Sequence, residues 1–250
     1  LWDASTVNPT RRLEASHRGY LNRVEFVEDG NALLTAGDNG AARLTPLNDA
    51  DRSAGVFDHG ARVLDTAHHA SSNRVATAGA DGAVRLWDAS RREHVQTLRS
   101  GSAAVLAVAF SPDGAFVGGG SEDSTATLWN ATSGEVVHRR SAHTAGVTAV
   151  AFSPDGARLV TGSRDGAARV WDARTGKEVL TLAGHADEIT RVGFHPRGGA
   201  ILSASRDGSA IVWPATGWSA AGRSEVTFSP SIQRCLMPRR QTCLIPSACI

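Results

Sequence analysis

Among its 250 residues the chain has only three cysteines, one methionine, one tyrosine and, in Lys177, one lysine. All three cysteines (Cys235, Cys243 and Cys249) lie near the C-terminus, so the rest of the sequence is built without disulfides. That suits a reducing compartment, and a cytoplasmic protein is expected. Their spacing includes no Cys-x-x-Cys pair, which argues against zinc, and no metal or cofactor is expected. No apolar run approaches the ~20 residues that a membrane-crossing helix needs. No charged-then-apolar segment opens the chain as a signal peptide would. A formal net charge of +1 leaves no overall electrostatic footprint for nucleic acid. Membrane and nucleic acid are therefore not expected partners.

What the chain does have is repetition. Ser141 to Asp172 reads as three short apolar runs separated by two turn signals, Ser153-Pro154-Asp155-Gly156 and Arg164-Asp165-Gly166. Runs this short with a period of two are strands, and strand-turn-strand-turn-strand is a β-meander. Val147, Ala149 and Ala151 are expected on one face, Val150 and Phe152 on the other. The pattern recurs on a 42-residue grid, with His17, His59, Gly101, His143 and His185 in one slot and Trp87, Trp129, Trp171 and Trp213 in another, 28 residues further on. Asp81, Asp123, Asp165 and Asp207 repeat at the same interval. So do Phe26, Phe110, Phe152 and Phe194, with His68 in the remaining Phe slot. A fourth strand, such as 177–182, separates each Trp from the next His slot. The first unit is worn, having Asn39 in the Asp slot and Thr45 in the Trp slot.

A period of this length ending in Trp-Asp is a propeller-blade signature. Through Trp2-Asp3, Trp87-Asp88, Trp129-Asn130, Trp171-Asp172 and Trp213-Pro214 the chain resembles the WD-repeat β-propellers over roughly residues 1–218. The resemblance implies an all-β fold, a β-propeller of four-stranded antiparallel blades, because single sheets must bury both faces against neighbours. Five clear repeats are expected, at about 17–58, 59–100, 101–142, 143–184 and 185–218. A partial or hybrid sixth blade would come from 1–16 and 225–230, giving a propeller domain over 1–230. Residues 231–250 carry no repeat and read as an irregular tail, a truncation scar or a shifted reading frame. The opening at Leu1, within a unit's ending, suggests a piece of a longer chain, of a bacterial type.

Ser163, His143 and Asp165 have the residue types of a hydrolase triad, but Ser205, His185 and Asp207 repeat them. A catalytic centre is normally built once, so a set repeated unit by unit is architecture. The resemblance implies a hydrogen-bonded relay within each blade, His143-Ser163-Asp165-Trp171 and His185-Ser205-Asp207-Trp213. Buried Asp, His and indole groups each need partners. His68-His69 and Glu93-His94 lack further ligands at metal spacing, and His68 is expected to be a half-buried histidine. Gly118-Gly119-Gly120 opens no helix and fits no phosphate loop.

What remains is surface recognition. By resemblance, the mouth of the channel binds partner peptides or domains, and the contacting slots here hold Tyr20, Asn22, Asp38, Arg62, Glu122, Arg164, Glu188 and Arg206. Arg164 and Arg206 suggest an acidic or phosphorylated segment, which Glu122 and Glu188 oppose. The expectation is a non-catalytic, monomeric scaffold for a protein or peptide partner. The rival is a propeller-based hydrolase or a ligand-binding sensor that uses the channel.

Overall fold

The computed structural model describes residues 17–48 and 54–215. Nineteen strands and no helix make up these residues, in five antiparallel sheets. The first sheet holds β1 (Leu21–Val27), β2 (Ala32–Gly37), β3 (Ala41–Pro46) and β4 (Gly55–Asp58). The second holds β5 (Val63–His69), β6 (Arg74–Gly79), β7 (Ala83–Asp88) and β8 (Glu93–Arg99). The third holds β9 (Val105–Phe110), β10 (Phe116–Ser121), β11 (Ala126–Asn130) and β12 (Val136–Arg140). The fourth holds β13 (Val147–Phe152), β14 (Arg158–Ser163), β15 (Ala167–Asp172) and β16 (Glu178–Ala183). The fifth has three described strands, β17 (Ile189–Phe194), β18 (Ala200–Ser205) and β19 (Ala210–Pro214). The expected hybrid blade of 1–16 and 225–230, and the tail from 231, lie outside the described residues.

Each sheet is a meander in chain order because its turns are short and chemically specified. The second turn of each unit reaches the left-handed region, at φ 82° in Gly40, 75° in Gly82, 78° in Gly166 and 83° in Gly208. A side chain is strained there; the third sheet tolerates Ser124, at φ 68°. In the Ser-Pro-Asp-Gly turns, the Ser111 and Ser153 hydroxyls donate to Asp113 and Asp155, whose carboxylates also accept the Ala115 and Ala157 N–H.

The sheets pack face to face in sequence. Val27, Leu34, Leu44 and Phe57 of the first bury against Val75 and Trp87 of the second. Leu86 and Leu98 of the second bury against Val105, Val108 and Trp129 of the third, and Val160 and Val170 of the fourth against Ile189 and Ile201 of the fifth. The seam lies between the second strand of one sheet and the first strand of the next. A Cβ on Gly120 would lie 2.5 Å from Val147 Cγ1, and one on Gly162 would lie 2.5 Å from Ile189 Cγ2. These glycines let the sheets approach.

One expectation about faces is corrected. A bulge between Val147 and Ala149 turns Val147 to the side of Val150 and Phe152, away from Ala149. Val147 and Phe152 accordingly meet Gly120 and Gly118 on one face of the third sheet. The repeated Phe slot is not uniformly core: Phe26 is 61% exposed, because no sheet precedes the first among the described residues. His68 is half-buried.

Candidate functional site

Three arrangements arise from the repeats: a network inside each sheet, a set of links between sheets at one end, and a cavity among the first strands.

The network is clearest in the fourth sheet. Trp171 Nε1–H donates to Thr161 Oγ1 at 2.9 Å, His143 Nε2 lies 2.8 Å from the same hydroxyl, and His143 Nδ1 lies 2.9 Å from Asp165 Oδ2. Asp165 also accepts the Thr144 and Ala167 N–H groups. His59, Thr77, Asp81 and Trp87 repeat this in the second sheet, with the imidazole turned so that Nδ1 meets the hydroxyl. His185, Ser203, Asp207 and Trp213 repeat it in the fifth. In the first sheet His17 joins Thr35 and Asn39, with no indole.

The serines of the expected relay are therefore replaced. The hydroxyl is Thr161, not Ser163, and Ser203, not Ser205. Ser163 and Ser205 donate instead to the carbonyls of Ala145 and Asp187 and accept the N–H of Asp165 and Asp207, closing the turn. Two residues along the strand separate the two hydroxyls, and only the earlier one lies between imidazole and indole. A Ser163-His143-Asp165 hydrolase geometry is not formed, since His143 Nε2 faces the fully buried Thr161.

Electrostatics follow from burial. Desolvation lowers the His59 and His143 pKa values below the ordinary imidazole range, against the pull of Asp81 and Asp165. Desolvation alone would raise Asp81, but hydrogen bonds from His59, Arg85 and the Ala83 N–H outweigh it and hold the carboxyl at about 2. Asp165 is lowered in the same way, its backbone and His143 hydrogen bonds outweighing burial. A neutral imidazole satisfies every member: indole to hydroxyl, hydroxyl to Nε2, Nδ1–H to carboxylate.

The third sheet is the exception, and it departs at two positions together. Gly101 replaces the His and Gly119 the hydroxyl, and the Trp129 ring closes over Gly119, where a Cβ would lie 2.6 Å from the ring. Trp129 is fully buried, and its N–H points to Arg99 O at 3.5 Å. Asp123, without an imidazole, accepts from Thr125 and Arg139.

At one end of the first strands lie the residues expected to meet a partner, and most of them tie sheets together. Asn22 donates to Asp38 and to Val63 O of the next sheet, each at 2.8 Å, and Arg62 Nε lies 3.2 Å from Asp38. Arg164 pairs with Glu122 of the preceding sheet and lies 3.6 Å from Glu188 of the following one. Arg206 pairs with Glu188 at 2.6 Å. Arg164 and Arg206 are thus already matched by Glu122 and Glu188. Tyr20 differs, being 80% exposed beside the half-exposed Leu21.

Between the five first strands runs a cavity of about 420 Å³. Arg23, Glu25, Asp65 and Arg191 supply its charge, Thr66, His68, His69 and Ser111 add polar groups, and alanines, valines, Pro112, Phe110 and Phe152 make up the rest of the wall. Asp65 spans three sheets: Arg23 Nε stands 3.3 Å from Oδ1, and Oδ2 accepts the Val108 N–H at 3.0 Å. Sequence reasoning missed this cluster because its residues share no motif. They are marked only by charge in slots where other units carry Ala. His94 takes up a local contact with Thr97, and His69 reaches across the seam to Pro112 O of the third sheet. Among the described residues no three His, Cys, Asp or Glu side chains group as a cation site.

Meanders of three or four described strands, three of them locked by a buried imidazole–hydroxyl–indole network and each stacked on the next, define a repeat protein of β-sheet units. The family model of the WD domain, G-beta repeat, matches residues 52–88, 92–130, 134–172 and 176–214, and the chain belongs to the WD-repeat family. After the first, each matched unit begins at or just before the outer strand of one sheet and ends with the third strand of the next, so the sequence repeat straddles the structural one. No individual curated protein matches the chain. WD repeats generally serve as scaffolds for protein–protein interaction.

Proposed function

We propose that the chain is a non-catalytic platform that binds a peptide or domain at the mouth of the central cavity, with its sheets standing as the blades of a closed propeller. Residues outside the described sheets would supply the sixth position; Val226 and Phe228 repeat by sequence the slots of Val150 and Phe152. One observation carries the binding reading. Tyr20 projects 80% exposed from the mouth, while the charged residues around it are engaged with one another. An aromatic side chain with few rotamers, held on a fixed frame and ringed by polar groups, is the usual anatomy of an interface anchor. The Arg62–Asp38 and Arg164–Glu122–Glu188–Arg206 sets then act as a polar rim. They favour a mixed or neutral partner segment over a strongly acidic one, since each guanidinium already faces a carboxylate.

The test is site-specific photocrosslinking. A benzoylphenylalanine at position 20 should capture a partner that the same group at Val136, on the outer strand of the third sheet, does not. Tyr20→Ala should then weaken that partner by more than ~1 kcal/mol without loss of β-structure. Capture from position 136 and not from position 20 would refute the assignment.

A further inference from the structure

Six residues after each His slot the chain has Arg23, Asp65, Ala107, Ala149 and Arg191; two residues further on it has Glu25, Ala67, Ala109, Ala151 and Gly193, and all of these except Ala107 and Gly193 line the cavity. The third and fourth sheets show what the wall needs for packing, which is alanine. The four charges are therefore additions to the framework, confined to the first, second and fifth sheets, and they meet in one cavity.

Their hydrogen bonding is incomplete. Arg23 Nε, Asp65 Oδ1 and Thr66 Oγ1 are buried with no hydrogen-bond partner among the described residues. The 3.3 Å approach of Arg23 Nε to Asp65 Oδ1 is an ion pair without hydrogen-bond alignment. Asp65 is 6% exposed and Thr66 1%. Arg191, exposed on β17, lies close enough to act on both Glu25 and Asp65 but closes no ion pair among the described residues. Leaving such groups buried and unpaired is costly. Arg23 Nη2 also donates to Glu25 Oε2 at 3.5 Å, so one guanidinium is shared by the two carboxylates of Glu25 and Asp65. The open positions are of two kinds. Arg191 calls for an anionic acceptor; the two carboxylates with their one shared guanidinium, together with Thr66 Oγ1, call for a cationic donor. One molecule that supplies both is a zwitterion, and the cavity volume of about 420 Å³ lies in the roughly 300–1,000 Å³ range of small-molecule sites.

We propose that this cavity binds a free α-amino acid, its carboxylate on Arg191 and its ammonium group on Asp65, Glu25 and Thr66. Burial pushes the Asp65 and Glu25 carboxyls up despite Arg23 and Arg191, and a cation beside them would offset that cost. The side chain would lie toward Ala109, Ala149 and Val150 on the apolar wall. The site is separate from Tyr20 and does not rest on the platform reading.

The experiment is calorimetric titration of the full chain with each of the twenty amino acids, with thermal shift alongside. At least one should bind. Its methyl ester, which lacks the anion, and its N-acetyl derivative, which lacks the cation, should bind at least about tenfold more weakly, the loss of one charge-assisted contact. Arg191→Gln, at an exposed side chain, should weaken binding likewise while circular dichroism is unchanged, and Tyr20→Ala should leave binding as it was. Absence of binding by all twenty, equal binding of the blocked derivatives, or full affinity in Arg191→Gln would each overturn the proposal. None of these results bears on crosslinking at position 20.

Discussion

Replacing Thr161 with Val keeps the shape of the side chain and removes only the hydroxyl. Two buried groups then lose their partner: the Trp171 Nε1–H, at 2.9 Å, and His143 Nε2, at 2.8 Å. Thr161 is fully buried and His143 and Trp171 are each 5% exposed, so water does not replace the hydroxyl without opening the sheet. Each stranded group costs about 1–3 kcal/mol, and the expected loss is about 2–5 kcal/mol. Ser163→Ala removes one hydroxyl bound to Ala145 O and the Asp165 N–H beside the turn, and should cost only about 1 kcal/mol. Urea unfolding followed by tryptophan fluorescence measures both. A double-mutant cycle with Trp171→Phe should show the two losses to be less than additive, because they share one hydrogen bond. If Thr161→Val is as stable as the parent, or Ser163→Ala is the more damaging, the hydroxyl of the network has been wrongly assigned.

Acidification should weaken the fold in two stages. His59 and His143 have folded pKa values below the unfolded value of 6.5, so the unfolded chain takes up protons first and stability falls as pH drops below about 6.5. Asp81, at about 2 when folded against 3.8 unfolded, adds stability that is lost as pH falls below 3.8 toward 2. Asp65 and Glu25, raised by burial, act in the opposite sense. The first stage is therefore read as a difference: His143→Gln should show a smaller drop in melting temperature between pH 8 and pH 5.5 than the parent, and an equal drop would contradict the histidine assignment. At the seams, Gly162→Ala should lower stability by about 1–3 kcal/mol through overpacking against Ile189 and Val192. Gly193→Ala, with nothing within 4 Å of the added carbon, serves as the control and should be nearly neutral.

The meanders and their order were legible because each depends on residue types that recur at one spacing, and the Asp-His pairing because the resemblance to WD repeats implies it. The choice of hydroxyl was legible too, but from co-occurrence and not from proximity to the turn. The slot of Thr35, Thr77, Thr161 and Ser203 loses its hydroxyl only at Gly119, in the unit that also lacks its His. The slot of Ser121, Ser163 and Ser205 keeps a hydroxyl in that unit and has glycine, Gly37 and Gly79, in two units that have the His. A partner of the imidazole should disappear with the imidazole, and only the first slot does. The bulge that turns Val147 over was not legible, because one extra residue reverses a face without altering the composition of the strand. The mouth pairs escaped for a different reason. Residues one period apart, such as Glu122 and Arg164, are neighbours across a seam, and reading each unit separately leaves both looking free.

The same seam decides what happens at the ends of the described array. Val63, Val105, Val147 and Ile189 are at most 1% exposed, each pressed on the sheet before it, yet Leu21 in the corresponding slot of the first sheet is 51% exposed and Val24 and Phe26 beside it are each 61%. On the receiving side, Leu34, Leu44, Val160 and Val170 are at most 3% exposed, yet Leu202 and Val212 of the fifth sheet are 49% and 47%. The two ends thus carry the two halves of a contact that the chain makes four times elsewhere. Burying a side chain of this size contributes roughly 1.5–3 kcal/mol, and bare sheet faces and edges invite assembly. Closure by the chain itself therefore predicts a monomer with both faces covered. The check begins with a variant in which Cys235, Cys243 and Cys249 are serine and single cysteines stand at Phe26, Leu202 or Val136, the last being 44% exposed on the outer strand. Maleimide should label positions 26 and 202 at least about tenfold more slowly than position 136, as expected for sites reached only through local opening. Labelling at the rate of position 136 would show the faces to be open. Protection that appears only with concentration-dependent assembly would show that other copies cover them, and either result would refute closure within one chain.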